Sequence, residues 1–119
     1  MLAEERPDLV AETPALEVAN DGSFTLGEAH ADLRKNKLLA RLFLALVTAR
    51  TAAPGRCLSV DELLEVGWPG EKMQREAGQN RVYVAIAALR RAGLGDNLER
   101  DDGGYRISAG LHVKRVLHP

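Results

Sequence analysis

Residues 59–70 read Ser59-Val60-Asp61-Glu62-Leu63-Leu64-Glu65-Val66-Gly67-Trp68-Pro69-Gly70. The first four form the S-x-x-E capping box. In this pattern the serine hydroxyl accepts from a backbone N–H three residues on, and the glutamate carboxylate accepts in return from the serine N–H. Leu63, Leu64 and Val66 give the segment an apolar side, and Trp68-Pro69-Gly70 stops it. The stretch therefore predicts a short, well-defined helix, and its neighbours decide what that helix belongs to.

Downstream, Glu71–Gly78 is polar and irregular, and a third helix is expected from about Gln79 to Ala92, with Gly93 and Gly95 as stops. Leu98-Glu99-Arg100, Asp101-Asp102-Gly103-Gly104 and Tyr105-Arg106-Ile107 then read as strand, tight turn, strand. Upstream, Leu38, Leu39, Leu42, Phe43, Leu46 and Val47 recur at helical spacing from about Asn36 to Ala52. Asn36 suits the N-cap of this first helix and Pro54-Gly55 its end. Before it, Ala15–Ala19 and Ser23–Leu26 alternate on either side of Asn20-Asp21-Gly22, a hairpin signal. A third extended piece is expected around Ala31–Arg34. Residues 1–14 carry Pro7 and Pro14 and no sustained period, so they read as an acidic arm; residues 111–119 read as a tail or linker stub. The expected domain is 15–110.

A chain of 119 residues with 45% apolar and 28% charged side chains fits one globular domain with a core of Leu, Val, Ile and Ala, since aromatics are only 4%. The lone Cys57 cannot close an internal disulfide, which suits a reducing cytoplasm. The longest apolar runs, Leu42–Val47 and Val82–Leu89, fall far short of the ~20 residues of a membrane span. The N-terminus, acidic and without an apolar run, is not expected to act as a secretory signal. His30, His112 and His118 lack ligand-spaced partners, so no metal site is expected. No nucleophile–base pair or phosphate-cradling loop appears either, and neither an enzyme, a cofactor nor a small-molecule substrate is expected.

The net charge of −1 is unevenly spread: residues 1–32 carry −7 and residues 33–119 carry +6. A basic body is a candidate for a polyanion, and the acidic leader is expected to screen it.

The order is α+β: strands, three helices, then a hairpin. From Leu38 to Ile107 the chain resembles the winged-helix effector domain of OmpR/PhoB-type response regulators. The resemblance rests on Ser59-Val60-Asp61-Glu62-Leu63-Leu64 leading to Gly67-Trp68-Pro69-Gly70, on Asn80-Arg81-Val82-Tyr83-Val84-Ala85-Ile86-Ala87-Ala88-Leu89-Arg90-Arg91, and on Gly104-Tyr105-Arg106. It implies a winged helix-turn-helix with an N-terminal antiparallel sheet and a C-terminal β-hairpin wing. It also implies a DNA-binding regulator, or the output domain of one, whose third helix enters the major groove while the wing lies on the flanking backbone. The family's four-stranded N-terminal sheet would correspond to the two or three strands readable between Ala15 and Arg34. No receiver domain is expected ahead of the module, and any phosphorylation input is expected to come from elsewhere.

Projected at about 100° per residue, the third helix buries Val82, Ile86 and Leu89 in line with Gly93. The opposite face carries Asn80, Val84, Ala87, Ala88 and Arg91, flanked by Arg81 on one side and by Tyr83 and Arg90 on the other. Asn80 suits an adenine edge, Val84 a thymine methyl, and Arg81, Arg90 and Arg91 phosphates. In the wing, Arg100 and Arg106 flank the acids Asp101 and Asp102. The family commonly carries polar or basic side chains where Ala85, Ala87 and Ala88 stand, and a base where Asp101 stands. The DNA-reading chemistry is thus thinned, and Tyr83-Val84-Ala87-Ala88 suits a protein partner at least as well. The alternative to DNA binding is accordingly a winged-helix protein-interaction module.

Elsewhere, Lys35, Lys37 and Arg41 read as a solvated face, Trp68 as a plug between helices, Tyr105 as packing for the wing, and Cys57 as an inert thiol.

Overall fold

The structure, a computed structural model, describes residues 15–116. The expected arm (1–14) and the last three residues of the expected tail lie outside the described residues. The chain is an α+β fold with strands β1 (Ala15–Val18), β2 (Phe24–Leu26) and β3 (Ala29–Ala31), helices α1 (Lys37–Ala52), α2 (Val60–Gly67) and α3 (Arg75–Leu89), and strands β4 (Leu98–Asp101), β5 (Gly104–Ile107) and β6 (His112–Arg115).

The larger sheet has the order β3-β2-β1-β6. Its first three strands form the antiparallel meander expected of Asn20-Asp21-Gly22 and Gly27-Glu28, with Val18 opposite Phe24 and Leu26 opposite Ala29. The fourth strand corrects the sequence reading twice. Residues 112–115 are a strand rather than a tail, and they pair in parallel with β1, Ala15 opposite His112 through Val18 opposite Arg115. The sheet is therefore mixed, not antiparallel, and its fourth member comes from the other end of the chain. Without it, the outer edge of β1 would leave a row of unpaired backbone N–H and C=O groups.

The third strand also sits earlier than expected, at 29–31, because Asp32 and Arg34 make their own local turn. The Arg34 backbone N–H and guanidinium both donate to the Asp32 carboxylate, at 3.1, 2.9 and 2.7 Å. Those donors, the guanidinium first, hold the Asp32 carboxyl well below the ordinary carboxylate range.

One face of the sheet turns Leu16, Val18, Phe24, Leu26 and Ala31 inward, while Glu17, Thr25 and His30 form an outward polar file. The inward set meets the stripe on α1, whose Leu39, Leu42, Phe43, Leu46 and Val47 are all buried. The rings of Phe24 and Phe43 lie 4.7 Å apart. Asn36 caps α1 as expected, accepting from the Leu39 N–H at 3.1 Å. Near the other end of α1, Arg50 donates to the carbonyls of Ser108, Ala109 and Leu111, pinning the loop that delivers β6.

The capping box of α2 is complete: the Ser59 hydroxyl accepts from the Glu62 N–H at 3.0 Å and Glu62 accepts from the Ser59 N–H at 2.9 Å. That second bond leads the causes that lower the Glu62 pKa, with the nearby Arg56 adding to it. Gly67 ends α2 where a Cβ would press on Leu38 and Leu42 of α1.

Helix α3 begins four residues before the expected Gln79 and ends three before Ala92. Its first turn, Arg75-Glu76-Ala77-Gly78, has no apolar period, and Gly78 reads as a breaker. In the fold that glycine is what lets α3 approach Leu64 of α2. At the far end the chain loosens into a wide turn over Arg90–Leu94, and Gly93, at φ +145°, lies against Phe24 and Ala29. Helix and sheet layers thereby share a single buried cluster running from Leu16 to Leu111.

Candidate nucleic-acid interface

The β4–β5 hairpin carries Leu98 opposite Ile107 and Asp101 opposite Gly104. It is tied to the strand-like residue ahead of α2: Leu58 and Tyr105 exchange backbone hydrogen bonds at 2.8 and 2.9 Å. Tyr105 is buried, as expected for a side chain packing the hairpin on the body. One side of α3 consequently faces the core and the other faces solvent beside the hairpin.

The core side is Val82, Ile86 and Leu89, as projected, and also Ala85, which the sequence reading had grouped with the surface alanines. With Ala85 buried, that departure from the family pattern concerns packing, and only Ala87 and Ala88, both half-buried, concern the surface. On the solvent side stand Asn80, Arg81, Tyr83, Val84 and Arg91. Tyr83 and Val84 are 58% and 56% exposed, the exposed large apolar side chains among the described residues.

The arginines separate into two groups. Arg90 is half-buried and donates to the Leu98 carbonyl from two nitrogens, at 3.0 and 2.8 Å, so it holds the end of α3 to the start of the hairpin. Arg106 bonds Glu99 at 2.9 Å and the Gly55 carbonyl at 3.2 Å, and it pairs with Asp101 at 3.2 Å. Glu99 foremost, with Asp101 adding to it, raises its pKa above the ordinary arginine value. Both guanidinia are thus committed to the fold.

Arg81, Arg91 and Arg100 remain outward. Arg81 pairs with Glu71 at 3.2 Å and lies over the Trp68 ring at 5.9 Å. Trp68 is therefore a half-exposed stacking partner as well as a plug between helices. Arg100 stacks on Tyr105 at 5.9 Å. Arg91 and Arg100 pair with no carboxylate among the described residues. An exposed pair such as Arg81–Glu71 is worth about 0–1 kcal/mol, so Arg81 can exchange its partner for a phosphate at little cost.

Two depressions border the α3 face. One, of about 370 Å³, runs between α3 and the hairpin and is lined by Val60, Glu76, Gln79, Asn80, Tyr83, Arg100 and Tyr105. The other, of about 320 Å³, runs between α3 and the start of α1. Its lining is mostly apolar, from Leu38, Leu39, Trp68, Val84 and Ala85, with Asn36, Asn80 and Arg81 at the edge. Sequence reasoning missed this second groove because its lining comes from three separate segments, each explained by its own helix. Leu38, counted with the stripe of α1, and Trp68, read as a plug, are both only half-buried in the fold.

Among the described residues no group of three His, Cys, Asp or Glu side chains is placed to hold a metal ion. No helix among them is long and apolar enough to cross a membrane. Comparison of the chain with protein-family models, curated proteins and solved structures found no match.

Proposed function

We propose that the chain is a winged helix-turn-helix module of the OmpR/PhoB type that binds duplex DNA, with α3 in the major groove and the β4–β5 hairpin as a wing on the flanking backbone. The observation that carries the proposal is the disposition of α3. The helix packs its Val82–Ile86–Leu89 seam on the body and presents Asn80, Tyr83, Val84 and Arg91 beside a hairpin bearing Arg100. An α-helix offered in this way fits the width of a major groove. Asn80 and Val84 have the chemistry of an adenine edge and a thymine methyl, and Arg81, Arg91 and Arg100 that of phosphate contacts. Arg90 and Arg106 are left out of the contact set because their guanidinia are held against the fold by Leu98, Gly55 and Glu99.

The test is an anisotropy titration on random-sequence duplex DNA across a range of salt. The parent chain should bind with an affinity that falls steeply as salt rises. The R81A/R91A/R100A variant should lower the magnitude of the log–log salt slope by about three. Its low-salt affinity should drop by roughly tenfold or more. Absent or salt-insensitive binding by the parent chain would sink the proposal. Arg90 is omitted from the variant because its removal would strip the Leu98 carbonyl of its donors.

One observation favours a second reading. Two adjacent large apolar side chains, Tyr83 and Val84, are more than half exposed at the centre of the face, where a protein interface would place its apolar middle. For a winged-helix module that binds a protein, Val84→Asp should abolish capture of the partner while moving the unfolding free energy by no more than about 0.5 kcal/mol. Retention of every captured partner by the variant would count against that reading.

A further inference from the structure

The groove between α3 and the start of α1 is lined by Leu38, Leu39, Trp68, Val84 and Ala85, and bases stand beside it. Arg81 lines it, Lys35 and Lys37 flank Asn36 at its edge, and Arg41 binds the Val66 and Gly67 carbonyls immediately before Trp68. Of these bases, Arg81 pairs with Glu71. An apolar trough with a cationic rim selects an acidic segment that carries a few large apolar side chains.

The chain contains such a segment. Residues 1–14, outside the described residues, carry Glu4, Glu5, Asp8 and Glu12 against the single base Arg6, with Leu9 and Val10 adjacent among them. We propose that this segment docks in the groove, Leu9 and Val10 against Leu38, Trp68 and Val84 and its carboxylates along the basic rim, and thereby covers the α3 face. Lys35, Lys37 and Arg81 beside the groove meet Glu4, Glu5, Asp8 and Glu12 on the segment, whose one base is Arg6.

Reach is not limiting. Fourteen extended residues span at most about 50 Å. The segment joins β1, which is one strand removed from β3, about 10 Å across the sheet, and Asp32–Asn36 then carry the chain to α1. Because segment and groove share one chain, their effective concentration is of the order of millimolar, so even a weak contact is well occupied. The regulatory consequence rests on the DNA-binding proposal, since Asn80, Arg81 and Val84 belong to both surfaces; the docking itself does not.

Trp68 is the chain's one tryptophan, so fluorescence excited at the red edge of the indole band, where Tyr83 and Tyr105 do not absorb, reports on this groove. The experiment compares the full chain with its L9D/V10D variant, and with E4Q/E5Q/D8N/E12Q as a second variant that keeps the apolar pair. Emission maximum, acrylamide quenching and DNA affinity are measured, with far-UV circular dichroism confirming that the fold is unchanged.

Both variants should show red-shifted emission and easier quenching. DNA affinity should rise by roughly fivefold or more, the scale of an ordinary coupling between sites. A fluorescence change without DNA binding by any form would uphold the docking and overturn the DNA-binding proposal instead. Unchanged emission and quenching in both variants would overturn the docking, whatever the DNA result. A Trp68 signal that depends on protein concentration in the parent chain would also overturn it, by assigning the groove to a second copy.

Discussion

Replacing Gly104 with alanine is expected to lower the unfolding free energy by about 2–5 kcal/mol and to detach the hairpin from the body. Gly104 sits at φ +135°, a backbone conformation that costs an L side chain strain wherever it occurs. At this position strain adds to a collision. A Cβ here would run into the Leu58 carbonyl and approach the Ser59 Cα. Both neighbours are backbone atoms, and neither can turn aside as a flexible side chain would. They belong to the short ladder in which Leu58 and Tyr105 exchange hydrogen bonds, directly ahead of the capping box of α2. Urea unfolding gives the energy, and amide hydrogen exchange at Leu58 and Tyr105 gives the location. An unfolding midpoint within experimental error of the parent, or exchange unchanged at those amides, would refute the account. In the DNA assay, loss of the hairpin should weaken binding without altering any α3 side chain.

Phe43→Ala is expected to cost about 3–5 kcal/mol, a large part of the 5–15 kcal/mol available to an ordinary domain. Phe43 is wholly buried on α1, and its ring meets that of Phe24 on β2 at 4.7 Å. Phe24 in turn packs against the backbone of Gly93 at the end of α3. Truncation therefore opens a cavity where sheet, first helix and the exit of the third helix converge. If the layers form one core, the thermal transition of the variant should stay single while its midpoint falls. Two separated transitions, or a loss below about 1 kcal/mol, would show that the sheet is held on by something other than this contact.

How far the sequence foretold these features depends on the range of the forces involved. The first two helices were legible because their determinants are local: the three- and four-residue recurrence of Leu39, Leu42, Phe43 and Leu46, the Asn36 cap, and the Ser59–Glu62 box. The hairpin was legible because Asp101-Asp102-Gly103-Gly104 interrupts two short apolar-containing runs. β6 was not, since His112-Val113-Lys114-Arg115 has one apolar side chain and becomes a strand by pairing with residues almost a hundred positions earlier. The first turn of α3 was hidden for a related reason, its glycine being required by Leu64 on another helix.

On the candidate interface, the outward placing of Asn80, Tyr83 and Val84 followed from helical projection alone. The commitment of Arg90 to the Leu98 carbonyl, and of Arg106 to the Gly55 carbonyl, depends on how the chain returns after its turns. No period or motif encodes that. Glu99 opposite Arg106 is the exception, because the hairpin register places that pair face to face.

The parallel pairing of β1 with β6 has a mechanical meaning. The chain enters the described fold at the start of β1 and leaves it at the end of β6, and the two strands run the same way side by side. Tension applied to the two ends therefore pulls these strands past each other lengthwise. It loads their hydrogen bonds together in shear rather than peeling them one at a time. A hairpin-like closure with the ends side by side would unzip under a far smaller force. The seam between β1 and β6 is thus the clasp of the molecule, and the loop that Arg50 pins is the part of the strap leading into it.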